Sequence, residues 1–116
     1  VIISDTFYEF AMPLIAKLGD PMLLCHHLLL EGDKIVGYRL RQSKKRCSVR
    51  AFKSLDLRVV AAGDSFNDIS MLQEADAGFF FKAPKAVIDQ YPDYELADNY
   101  EDLKTLIETW RISQVS

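Results

Sequence analysis

A run of small and β-branched residues that leads directly into an acidic loop constrains the fold of this chain more than any other feature. Residues 58–62, Arg-Val-Val-Ala-Ala, are followed by Gly-Asp-Ser-Phe-Asn-Asp at residues 63–68, here called the acidic loop. After the loop, apolar residues recur at helical spacing from Ile69 to Ala75. A buried strand that passes through a polar loop into a helix is the repeating unit of a parallel sheet. The segment therefore predicts an α/β fold.

The beginning of the chain shows the same order of strand and helix. Residues 1–3 are Val-Ile-Ile, which predicts a buried strand of a parallel sheet. Asp5 and Thr6 are residue types that cap helices, and a helical pattern with Pro13 inside it follows and ends at Gly19. Because such a strand needs a neighbour on each side, a chain that opens on it is expected to be the later part of a longer one.

The middle of the chain predicts a β-hairpin and a helix. Residues 23–30 and 35–40 are strand-like, and Glu-Gly-Asp-Lys between them has the composition of a tight turn. A basic stretch follows, and residues 48–55 then form a helical stripe.

The last third predicts one more strand and one more long helix. Residues 78–81 read as a short strand, residues 86–91 as one or two helical turns and residues 91–99 as a loop. An amphipathic helix then begins near Asn99 or Tyr100. Alternating strands and helices give right-handed crossovers and a parallel sheet. We expect one domain over residues 1–116, with the hairpin at or near an edge.

The composition excludes several classes of protein. Of 116 residues 49% are hydrophobic, too many for a disordered chain. Fourteen basic and 17 acidic side chains give a net charge of −3, which argues against nucleic acid as a partner. No apolar run approaches the roughly 20 residues that cross a bilayer, so no membrane span is expected. Cys25 and Cys47 are too few for a disulfide scaffold and predict reduced thiols in a cytoplasmic protein.

Polar residues follow two of the predicted strands, where parallel sheets bind their ligands. The first strand runs into Ser4, Asp5 and Thr6, and the second into the acidic loop, so the two sites are expected at one edge of the sheet. Asp64, with Asp68 as a second ligand or as an anchor, suits Mg²⁺, which prefers carboxylate oxygens. The alternative is that Asp64 or Ser65 simply caps the next helix.

Other residues near these loops suit a phosphate group. Asn67 adds an amide, and Ser4 and Thr6 add hydroxyl groups, although, taken alone, helix capping is the favoured explanation of the hydroxyl groups. Among the basic residues after the hairpin, one lysine, Lys44 or Lys45, could offset phosphoryl charge. The rest are expected on a solvated face, and no chemistry is assigned to His26 or His27.

Together these motifs resemble those of the haloacid-dehalogenase-like phosphatases. Ser4 after a strand, Lys45 at a helix start and the acidic loop stand in the order of that family's second, third and fourth motifs. Further stretches resemble the bacterial branch that acts as phosphoserine phosphatase and homoserine phosphotransferase: residues 4–10, 24–26, 37–42, 51–55 and 100–104.

The resemblance implies a Rossmann-like, three-layer α/β/α core with a parallel sheet and a hairpin. It implies phosphoryl transfer from phosphoserine to water or homoserine, through an aspartyl-phosphate and with Mg²⁺. Site residues carry over by position: Ser4, Asp5, Lys45 and Asn67 toward the phosphoryl group or substrate, Asp64 and Asp68 toward the metal, and Lys45 and Asp68 as catalytic residues.

One departure from the family is large. The family's first motif is an Asp-x-Asp pair that supplies the nucleophile, and no two aspartates of this chain stand two residues apart. The first core strand and the helical cap are also missing. The expectation is therefore a C-terminal part of one core domain that is inactive alone. A non-catalytic assembly module that pairs with a chain supplying the missing half is the alternative, and a homo-oligomer is possible in either case. A receiver-like signalling domain fits less well, because it needs an early phosphoacceptor aspartate.

Overall fold

A computed structural model describes residues 1–41 and 45–114. The chain divides into two compact units, Val1–Lys44 and Lys45–Ser116, and each contains a three-stranded sheet. Helices alternate with parallel strands in both units, so the predicted α/β class is confirmed. The expectation of a single core domain stays a prediction. No helix in the described part of the chain is both long and apolar enough to cross a bilayer.

The first unit is built around a strand that pairs in two directions. Its elements are β1 (Ile2–Phe7), α1 (Tyr8–Lys17), β2 (Leu23–Glu31) and β3 (Lys34–Arg39). Strand β2 lies parallel to β1 at its start and antiparallel to β3 further along, which confirms the predicted hairpin. The turn consists of Gly32 and Asp33, and Gly32 has the positive φ of 62° that a glycine adopts without strain. Gly19, just after α1, has a φ of 82° and ends the helix as predicted.

Strand β1 is longer than predicted, and its second half leaves the regular ladder. Ile3 pairs with Leu24 and Phe7 with His26, so four steps along β1 correspond to two along β2. Two extra residues are thus accommodated in residues 4–6, which we call the β1 arch.

The β1 arch corrects the prediction that Asp5 or Thr6 caps α1. Phe7 is the flanking residue of that helix, and no side chain caps it. The hydroxyl oxygen of Ser4 instead accepts a hydrogen bond from the Thr6 amide at 3.2 Å, inside the arch. A local hydrogen bond of this kind, between a side chain and the nearby backbone, is an alternative to capping the helix.

The second unit contains an all-parallel sheet in chain order. Its elements are α2 (Lys45–Ser54), β4 (Val60–Gly63), a 3-10 turn (Phe66–Asp68), α3 (Ile69–Glu74), β5 (Ala77–Phe81), α4 (Lys85–Gln90), β6 (Glu95–Ala97) and α5 (Tyr100–Ser113). Strand β5 is central, and its Phe80 is completely buried. Leu72 of α3 and Ala97 of β6 are also buried, so the core lies against the middle of this sheet.

Strand β6 is absent from the sequence prediction, which placed residues 91–99 in a loop. Its three residues, Glu-Leu-Ala, have no β-branched or aromatic side chain. Pairing makes it a strand, because Glu95 stands opposite Phe79 and Ala97 opposite Phe81. The prediction was wrong because the neighbouring strand decides this element.

Replacing Asn99 by alanine is expected to destabilise the second unit by about 1 kcal/mol. The Asn99 side chain accepts a hydrogen bond from the Asp102 amide at 2.8 Å and donates one to its carboxylate at 3.0 Å. Alanine leaves that amide at the start of α5 without its partner. Urea unfolding measures the change, and Asn99→Ser, which keeps an acceptor, is expected to lose less than half as much. Equal losses for the two variants would contradict the capping role.

Candidate functional site

The acidic loop lies at the carboxyl end of β4 and is organised around the carboxylate of Asp68. Oδ2 of Asp68 accepts hydrogen bonds from the amide of Asp64 at 3.1 Å and from the amide and hydroxyl of Ser65 at 3.3 Å each. Ser65 flanks the 3-10 turn as its N-cap, while the choice between a capping loop and a metal site stays a prediction. The Asp68 carboxylate accepts from the backbone amide of Ser65, as the third residue of a capping box does.

The other oxygen of Asp68 binds Lys45. Lys45 Nζ lies 2.7 Å from Asp68 Oδ1, and the Asp68 side chain is only 6% exposed, against 18% for Lys45. A charge-assisted hydrogen bond of this length between two poorly solvated groups fixes both side chains. The first residue of α2 is thereby tied to the loop after β4, and an ammonium group is held beside the acidic loop.

Two opposing effects act on the pKa of Asp68. Burial raises the pKa, since it disfavours the charged carboxylate. Hydrogen bonds from Lys45 and from the amides of Asp64 and Ser65, with the positive charge of Lys45, act against burial. Their sum holds the pKa below the ordinary value of 3.8, so Asp68 is a carboxylate at neutral pH.

Because Gly63 has no side chain, the side chain of Asp68 can occupy the space next to it. A Cβ at Gly63 would lie 2.6 Å from both Cβ and Oδ2 of Asp68, closer than real Cβ atoms approach other atoms. The close approach of this backbone to the carboxylate requires glycine at the end of β4. Sequence reasoning missed this role, although a glycine at a strand end directly before an acidic loop is its signal.

Asp64 and Asn67 are the exposed polar residues of the same loop, and Phe66 is exposed as well. Both oxygens of Asp68 are already occupied by donors, so Asp64 carries the loop's carboxylate that is open to solvent. Within residues 1–41 and 45–114, no three His, Cys, Asp or Glu side chains cluster closely enough to hold a metal ion. One open carboxylate still fits Mg²⁺, which often takes one or two carboxylates and completes its shell with waters and substrate phosphate. This geometry favours Asp64 as a ligand and Asp68 as the anchor of Lys45.

Ser4 and Asp5 belong to the first unit, in the β1 arch. Ser4 is half-buried, whereas the Asp5 side chain is 69% exposed, with its Oδ1 3.6 Å from Nε2 of His26. That these residues and the acidic loop share one edge stays a prediction, as does the role of each. Lys44, the alternative to Lys45, lies outside the described residues.

The chain is similar in sequence or fold to several phosphoserine phosphatases. The chain is 58% identical over 106 residues to the phosphoserine phosphatase ThrH of Pseudomonas aeruginosa, which covers 90% of this chain and 52% of that protein. It is 55% identical to a phosphoserine phosphatase of Pseudomonas syringae pv. tomato over 90% of this chain and 45% of that protein. A solved phosphoserine phosphatase in apo form shares the fold, with a TM-score of 0.67 and 23% identity over 91% of this chain and 56% of that chain. No family model matches the sequence.

The chain is similar in sequence to about half of each of two phosphoserine phosphatases, and it shares its fold with a solved phosphoserine phosphatase. These likenesses agree with the family resemblance seen in the motifs. Its curated relatives are phosphoserine phosphatases, and the chain spans about half their length.

Proposed function

We propose that this chain is the phosphate- and metal-binding part of a Mg²⁺-dependent phosphatase or phosphotransferase that acts on phosphoserine. The observation that carries the proposal is the Lys45–Asp68 pair of 2.7 Å beside the open carboxylate of Asp64 at the carboxyl end of β4. A fixed ammonium group and a free carboxylate are what a dianionic phosphate with its cation needs. The 58% identity to a phosphoserine phosphatase supports the choice of substrate.

Each polar residue has a task under this proposal. Asp64 would hold Mg²⁺, which would supply charge neutralisation at the phosphoryl oxygens. Lys45 offsets part of the remaining negative charge of the phosphoryl group, and Asp68 keeps the Lys45 ammonium group in place. Asn67 donates to the phosphoryl group or the substrate. Ser4 and the Asp5 amide donate to a phosphoryl group, with homoserine or water as the acceptor of the transfer.

The nucleophile comes from outside this sequence. Covalent phosphoryl transfer needs a carboxylate in line with the phosphorus, and the chain has no Asp-x-Asp pair to supply it. Strands β1 and β4 each pair on one side only with a strand of the described residues. An open edge of a parallel strand accepts an added strand, so we propose that the missing part binds in this way.

Mixing the two parts of the enzyme tests the proposal. The partner is the segment of the Pseudomonas aeruginosa relative that this chain does not match. We expect no phosphoserine hydrolysis from either part alone, and hydrolysis from the mixture in the presence of Mg²⁺. Added homoserine is expected to take part of the phosphoryl groups, and Asp64→Asn to abolish turnover of the mixture. Turnover by the chain alone that is lost on Asp64→Asn would show that the inactive-part proposal is wrong.

The open edges also favour a second candidate, a non-catalytic assembly module. In that case the two polypeptides, or two copies of this chain, form a complex of defined mass in analytical ultracentrifugation. The complex would form but would not hydrolyse phosphoserine, whether Mg²⁺ is present or absent. Mass and turnover measured on the same sample therefore separate the two functions.

A further inference from the structure

We infer that His26 is a positioning residue, which holds the β1 arch in the shape that receives a phosphoryl group. The inference rests on the proposed function, since that function assigns the arch to phosphate. His26 is the residue of β2 that stands opposite Phe7, where β1 rejoins the ladder after the arch. Its side chain is 17% exposed, and its ring lies 5.9 Å from that of Phe7, centroid to centroid.

The backbone sets the tautomer of the His26 ring. Nδ1 accepts a hydrogen bond from the Arg41 amide at 2.7 Å, so the proton of the neutral ring is on Nε2. Nε2 lies 3.6 Å from Oδ1 of Asp5, and an N–H group attracts a carboxylate at that separation. The His26 ring thus links the β1 arch to Arg41, which lies two residues after the end of β3.

The arch needs such a support because its backbone leaves the ladder. Two residues more than the partner strand are accommodated between Ile3 and Phe7, so residues 4–6 lack regular pairing with β2. The bond between Ser4 and the Thr6 amide orders the arch internally, whereas His26 fixes it to the sheet. A binding loop that is ordered before the ligand arrives loses less conformational entropy when it binds. His26 therefore acts on phosphate affinity through Asp5 and does not touch the phosphate.

The chain offers a matched control in the next residue. His27 points to the opposite face of β2, is exposed, and stacks on Tyr8 with ring centroids 5.2 Å apart. Among the described residues, the ion pair of Asp5 is with His26 and not with His27. A variant of His27 changes the same side-chain chemistry without touching the arch.

Titration with inorganic phosphate and Mg²⁺, followed on the amide resonances of residues 4–6, tests the inference on the full chain. We expect His26→Ala to weaken phosphate binding by about fivefold or more, and His27→Ala to stay within about twofold of the parent chain. His26→Gln is expected to restore most of the affinity, because its carbonyl can accept from Arg41 while its amide donates toward Asp5. The ¹⁵N shifts of the His26 ring should show the Nε2–H tautomer. Equal affinity of folded His26→Ala and the parent chain, or the Nδ1–H tautomer, would overturn the inference.

A separate readout keeps this test apart from the proposed function. If the parent chain shows no phosphate-dependent shift at residues 4–6, the assignment of the arch to phosphate is wrong. Hydrogen exchange of the Thr6 amide then decides the role of His26. Faster exchange in His26→Ala than in His27→Ala supports the positioning role, and equal exchange in the two variants refutes it.

Discussion

Asp68→Asn is expected to lower the free energy of unfolding by about 3 kcal/mol, the largest stability change predicted for this chain. Asp68 is 4% exposed, and its two oxygens accept from Lys45, from two amides and from a hydroxyl group. Asparagine has one oxygen, so its amide nitrogen must face either the ammonium of Lys45 or the amides of the loop. Both are donors, and the half-buried ammonium loses its counter-charge.

Lys45→Met provides the control for this prediction. Urea unfolding of Asp68→Asn, Lys45→Met and the double variant at pH 7 forms a double-mutant cycle. Because methionine removes the charge that the asparagine leaves unpaired, the double variant should lose less than the sum of the two single changes. A strictly additive cycle would show that the pair of 2.7 Å contributes no coupling energy.

The pKa of Asp68 predicts the pH dependence of the same effect. The folded-state pKa lies below the ordinary value of 3.8, so the unfolded chain takes up a proton first as the pH falls. The stabilisation is complete well above 3.8 and is lost as the pH falls from about 5 through the lowered pKa. In Asp68→Asn, the free energy of unfolding should therefore fall less steeply with decreasing pH in the acid range than it does in the parent chain.

Gly63→Ala is expected to lower the free energy of unfolding by about 2 kcal/mol. The new Cβ would stand 2.6 Å from Cβ and Oδ2 of Asp68, a side chain that four hydrogen bonds hold in place. Either the loop moves away from β4 or Asp68 turns away from Lys45, and both change the candidate site. Amide chemical shifts of residues 64–68 should therefore change together with the stability.

Gly37→Ala is the matched comparison for Gly63→Ala. A Cβ at Gly37 of β3 meets only the side chain of Leu29, at 3.4 Å from Cδ1, and Gly37 has no positive φ. Gly37→Ala is expected to lower the free energy of unfolding by well under half as much as Gly63→Ala does. If the two substitutions have equal effects, the close approach at Gly63 is not what requires glycine there.

Elements with strong local signals were predictable from the sequence. The β4 strand and the helix after the acidic loop follow from residue type and spacing, as does the turn at Gly32. Strand β6 was missed because its pairing with β5, and not its composition, makes it a strand. The β1 arch was missed for a related reason, since a register shift depends on how β1 lies on β2.

The site was predictable in its residue types but not in its geometry. The motifs pointed to Asp64, Asp68 and Lys45, yet spacing alone left Asp68 as either a metal ligand or an anchor. The contact between Lys45 and Asp68 joins residues 23 positions apart, and only the folded unit shows it. His26 carried no sequence signal, because its role depends on an amide 15 residues away.

The two thiols make the chain convenient to follow in solution. Cys25 is buried, and burial, with the charge of Glu9, raises its pKa, so it reacts slowly with thiol reagents. Cys47 is exposed on α2, two residues after Lys45. A maleimide dye at Cys47 would place a fluorescent reporter next to the proposed phosphate site without any engineered cysteine, and its emission could follow the arrival of a missing part in real time.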